Sequence, residues 1–134
     1  MRDKNRHPIA PSSRCYFENG MYGHNAVQGI TAEDEHVYRI NRSFGRADVR
    51  VYVADIYIAG EADILEICRN NKGIDCIVLI GFFNRYSQSA KSMAGSMGVG
   101  LFDLREFYGA LNYSGERFID YEKQNEDKGS NTAM

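Results

Sequence analysis

Apolar and polar positions divide the chain into elements before any other property is considered. Val49, Val51 and Val53 alternate with Arg50, Tyr52 and Ala54, the period of a half-buried strand. Residues 76–80 form instead an unbroken apolar run, Cys-Ile-Val-Leu-Ile, as expected of a strand covered on both faces in a parallel sheet. Between the two, residues 61–71 set Ile64, Leu65, Ile67 and Cys68 at helical spacing, and Gly73 follows as a left-handed terminator. The unit is strand, helix, strand, and such a crossover is right-handed almost without exception.

The same pattern runs on towards the C-terminus. Ser87 is placed to cap a helix over 88–97, with Ala90, Met93, Ala94 and Met97 as its inward face. Gly98 ends that helix, 99–102 is a third short strand, and a last helix starts at Asp103 and runs through Leu111. Asp103 and Glu106 stand at capping-box spacing. Arg117-Phe118-Ile119 reads as an added edge strand. Upstream, 36–40 reads as a strand, preceded by an acidic turn or single helical turn over 31–35 and followed by a loop over 41–48. Cys15-Tyr16-Phe17 has the composition of a short strand, but Asn19-Gly20, Tyr22-Gly23 and Gln28-Gly29 are turn signals, so 15–29 receives no assignment. The expectation is a single α/β domain over 15–121, three-layered with a mainly parallel central sheet. A flexible arm over 1–14 precedes it and a polar, disordered tail over 122–134 follows.

Charge narrows the partners. With 16 Lys+Arg against 18 Asp+Glu, no overall field draws the chain to nucleic acid or to an anionic membrane, and any such binding must be local. Cys15, Cys68 and Cys76 are odd in number and lack Cys-x-x-Cys spacing, which points to a reduced, cytoplasmic protein. No apolar run reaches membrane-spanning length and no apolar segment follows the basic N-terminus, so neither a membrane span nor a secretion signal is expected. His7, His24 and His36 are isolated, and no metal site or cofactor is expected from them.

Candidate chemistry gathers where the fully apolar strand ends, because open α/β sheets take ligands at the carboxyl ends of their strands. Asn84, Arg85, Tyr86, Ser87, Ser89 and Lys91 occupy a polar turn that opens a helix. Backbone N–H groups, hydroxyls and a nearby cation are the ingredients of an anion site there. The bland alternative is that Ser87 only caps, Tyr86 packs at the sheet edge and Lys91 is solvated. Asp55, Glu61 and Asp103 fall at strand or helix ends that parallel strands would bring to the same rim, where acids serve a metal or general acid–base site. Capping explains Asp103 equally well, and the helix dipole explains Glu61. The ligand set is therefore Asn84, Tyr86, Ser87, Ser89, Lys91, Asp55 and Glu61, and no residue is assigned a catalytic role.

The stretch Gly81-Phe82-Phe83, the polar turn, Ser89-Ala90-Lys91-x-x-Ala94, then Val99-Gly-Leu-Phe-Asp103 and Leu104-Arg-Glu-Phe-Tyr108 resembles the closing half of restriction-endonuclease-like folds of the Mrr type. The likeness covers about residues 76–112. It implies a restriction-endonuclease-like topology, with a Rossmann-like one as the alternative, and a place in nucleic-acid-associated machinery. In that family an Asp on one strand and Glu or Gln, any residue, then Lys on the next bind Mg²⁺ for phosphodiester hydrolysis. Asp48 and Asp55 are the well-placed acids here, and no Glu-x-Lys lies between them and Cys76. The resemblance thus implies a non-catalytic relative that binds or docks through the 81–91 loop. Its partners would be nucleic acid or a phosphorylated ligand, a protein partner or a second copy. The other readings are an enzyme or binding protein for a phosphorylated small molecule, and an assembly module using Phe82, Phe83 and Tyr86.

Overall fold

The computed structural model of the protein describes residues 9–122. Its elements in chain order are α1 (Pro11–Tyr22), β1 (Val27–Ala32), β2 (Val37–Arg42), β3 (Val49–Ala54), β4 (Ile58–Ala59), α2 (Glu61–Asn70), β5 (Cys76–Leu79), β6 (Arg85–Tyr86), α3 (Gln88–Ser96), β7 (Gly100–Asp103), α4 (Leu104–Ala110) and α5 (Glu116–Ile119). Five strands form one sheet in the order β1-β2-β3-β5-β7. β1, β2 and β3 run antiparallel as a meander, and β3, β5 and β7 are parallel. The chain is thus mixed α/β, with the sheet parallel in its core and helices on both faces.

Side-chain alternation assigns the layers. Tyr52, Ala54, Ile77, Leu79 and Leu101 face one side, where Ile64 and Ile67 of α2 and Ala90 and Ala94 of α3 pack on them. Val51, Val53, Cys76, Val78 and Phe102 face the other, against Phe17 and Met21 of α1, Phe107 and Ala110 of α4, and Phe118 of α5. All four residues of β5 are buried, because it lies between two parallel neighbours and under helices on both sides. The crossovers anticipated from 49–80 and 76–103 are both present.

Several expectations need correction. The N-terminal segment is neither an arm throughout nor a strand at Cys15: Pro11 sits in the first turn of a helix, where its missing N–H costs nothing. Only Phe17 and Met21, four residues apart, are buried on that helix, too sparse a stripe to stand out as periodicity. Residues 1–8 of the expected arm and 123–134 of the expected tail lie outside the described residues. Thr31 and Ala32 belong to β1 rather than to an acidic turn. Residues 117–119 are one turn of helix, not an edge strand; Phe118 is driven onto Phe102, ring centroids 5.4 Å apart. Met97, the C-cap of α3, is 43% exposed, and on the helix Lys91 is buried with Ala90 and Ala94. A four-carbon stem lets this lysine, expected at the turn or in solvent, run inward along apolar surface.

Candidate functional site

The loops leaving β3 and β5 are zipped together by a two-stranded parallel ribbon in which Ile58 pairs with Arg85 and Ala59 with Tyr86. The N–H groups of Arg85 and Ser87 donate to the carbonyls of Tyr57 and Ala59. This ribbon fixes the turn over 81–91 at the carboxyl end of the parallel strands.

Asn84 braces that turn. Its Nδ2 donates to Asp55 Oδ1 at 3.0 Å, and its Oδ1 accepts from the N–H groups of Ile56 and Gly81 at 3.1 and 3.0 Å. One side chain thereby ties the end of β3 to the end of β5. Gly81 is required beneath it: a Cβ there would stand 2.6 Å from both Asn84 Nδ2 and Asp55 Oδ1.

Ser87 caps α3, its Oγ accepting from the Ala90 N–H at 3.1 Å. Ser89 is exposed, with its hydroxyl 3.1 Å from that of Ser87. Lys91 is turned inward, only 7% exposed, and its ammonium donates to the carbonyls of Leu101 and Tyr121 at 2.8 and 2.7 Å above the ring of Phe102. The ammonium that the anion reading needs at the turn is thus committed to the outer side of β7. Burial pushes the Lys91 pKa down, and the nearby Glu106 and Glu122 carboxylates oppose that shift.

Tyr86 reaches the first turn of α4 and donates to both oxygens of Glu106, at 2.9 and 2.8 Å. Glu106 is itself buried, and its Oε1 accepts from the Asp103 N–H while Asp103 Oδ1 accepts from the Glu106 N–H. The capping box read from the sequence is present. Burial raises the Glu106 pKa, against the lowering effect of its hydrogen bonds and of Lys91. Burial and the Glu106 carboxylate both push the Tyr86 phenol up. Tyr86 is a structural donor in this geometry, linking the turn to α4.

What opens to solvent is a cleft of about 210 Å³ between α1, the 81–84 turn and the start of α4, bounded by Tyr16, Ile80, Gly81, Phe82, Asn84, Asp103, Leu104 and Arg105. Asn84 and Asp103 therefore share a concavity, Asp55 joins them through Asn84, and neither Tyr86 nor Glu61 lines it. Glu61 lies exposed in the first turn of α2. Sequence reasoning missed Tyr16 and Arg105: Tyr16 fell in a stretch with no assignment, and nothing in the local pattern distinguishes Arg105 from a solvated helix residue. Among the described residues, no three His, Cys, Asp or Glu side chains gather as metal ligands would, and no helix is long and apolar enough to cross a membrane. No family model, curated protein or solved structure matches the chain.

Proposed function

We propose that the chain is a non-catalytic, restriction-endonuclease-like domain of nucleic-acid-associated machinery that docks through its 81–91 turn. The observation that carries this reading is the pair Phe82 and Phe83, 91% and 78% exposed on the turn that leaves the most deeply buried strand. Rings held in water at the carboxyl end of a parallel sheet, with Arg85 and Arg105 beside them, are what a stacking or docking surface offers to bases and phosphates. The family likeness rests on the succession strand, aromatic and polar turn, helix, strand, helix over 76–110. The absence of catalysis rests on placement. Asp48 precedes β3 and Asp55 follows it, so the whole strand, at about 3.3 Å per residue, separates them; a single metal cannot bridge the two.

An NMR titration of the full chain with a short single strand and with a duplex tests the reading. Shifts concentrated in the amides over 81–91 support it, and no shift anywhere at millimolar oligonucleotide overturns it. A second reading, an assembly module, is favoured by Tyr57 and Ile58, also exposed and paired to the same turn beside Arg85. Concentration-dependent mass by light scattering that disappears in Phe83→Ala would select it.

A further inference from the structure

The cleft beside the turn carries more chemical information than the exposed phenylalanines alone. Tyr16, from α1, and Phe82, from the turn, are distant in sequence yet meet across it, ring centroids 6.1 Å apart and tilted by 55°. Tyr16 is 56% exposed, so both rings present aromatic area to solvent as well as to each other. Asp103 and Arg105 line the same opening. A flat π-system suits the two rings, a hydrogen-bond donor suits the carboxylate, and a phosphate suits the guanidinium.

The polar groups also state which donor pattern fits. Asn84 has its amide oxygen engaged by two backbone N–H groups and its nitrogen engaged by Asp55, so it is wall rather than reader. Asp103, which lines the cleft, uses Oδ1 to cap Glu106, and Oδ2 is its second acceptor. A carboxylate oxygen only accepts; the exocyclic amino groups of cytosine, adenine and guanine are matching donors at the base edge, whereas the one base donor of unpaired thymine or uracil, N3–H, lies between two carbonyl oxygens that repel a carboxylate. We infer that the Tyr16–Phe82 cleft is a stacking site for one unpaired nucleobase bearing an exocyclic amino group, in a single-stranded nucleic acid. This rests on the nucleic-acid reading proposed above. Phe82, on a short turn and almost wholly exposed, can rotate from its tilted contact into a stacked one without disturbing the core.

The test is fluorescence anisotropy of the full chain with labelled oligo-dC, oligo-dA and oligo-dT of equal length at one low salt concentration, using the native protein, Phe82→Ala and Tyr16→Ala. The expected result is tighter binding of the dC and dA strands than of dT, weakened by about 5- to 100-fold in each variant, the range spanned by one base–aromatic stack. Circular dichroism confirms that both variants fold. Strands that bind natively with affinities unchanged in both variants overturn the stacking site while leaving the nucleic-acid reading intact. Equal affinity for dT overturns the amino-group recognition. No binding of any strand overturns both, and capture of proteins only, through Phe82, would transfer the cleft to the assembly reading.

Discussion

Asn84 holds Asp55 across the gap between the ends of β3 and β5, at 3.0 Å. Its other amide atom satisfies two backbone N–H groups that have turned out of the sheet. Asn84→Ala removes all three bonds at once, and each orphaned, part-buried N–H costs about 1–3 kcal/mol. A denaturant titration should show a loss of at least about 2 kcal/mol, with the amide shifts of Ile56 and Gly81 moving most. A loss within about 0.5 kcal/mol, the range of an ordinary surface substitution, would show that the brace is dispensable. Gly81→Ala should be damaging for the same reason, since its methyl would enter the space of this pair.

Leu79 tests the core. It is fully buried in β5, on the face covered by α2 and α3. Leu79→Ala is expected to cost about 2–5 kcal/mol as a large-to-small change in a packed site. A midpoint shift worth less than about 1 kcal/mol would contradict the placement of β5 between β3 and β7.

Glu106 supplies the pH dependence. Its folded pKa is raised, chiefly by burial, so its proton is held more tightly folded than unfolded. This group's contribution to stability is complete below its unfolded pKa and is lost as pH rises through the folded value. Carboxyl NMR should therefore place its midpoint above that of an exposed glutamate. Lys91→Met should raise the midpoint further, because the ammonium favours the carboxylate. A midpoint that falls or stays fixed in Lys91→Met would show that the lysine charge is not felt there.

Catalysis can be tested directly. With Asp55 engaged by Asn84 and no Glu-x-Lys between Asp48 and Cys76, no Mg²⁺-dependent cleavage of single- or double-stranded DNA is expected. Cleavage that Asp55→Ala abolishes would refute the non-catalytic reading.

The parallel core was legible because valine alternation at 49–53 and the apolar run at 76–80 are direct imprints of burial. Ser87 and the Asp103–Glu106 pair were legible because caps are local, each bond spanning three residues. What escaped was set by distant contacts. Gly20 looks like a turn signal, yet it lies within α1, where the Tyr108 hydroxyl occupies the space a side chain would need. Lys91 looks like a surface cation beside a hydroxyl-rich turn, and only the position of β7 and of Tyr121 shows which way it points. The concavity was half legible: Asn84 and Asp103 were placed on one rim, whereas Tyr16 arrives from a helix whose apolar stripe is two residues long.

The inward lysine has a consequence for how this sheet can grow. β7 is the last strand on its side, and at Leu101 its outward carbonyl is already taken by an ammonium. An incoming strand would have to displace a buried cation to register its N–H there. Growth of the sheet by strand addition at the β7 edge is therefore opposed by a side chain from the helix packed on it, a guard built from one lysine rather than from a proline or a bulge.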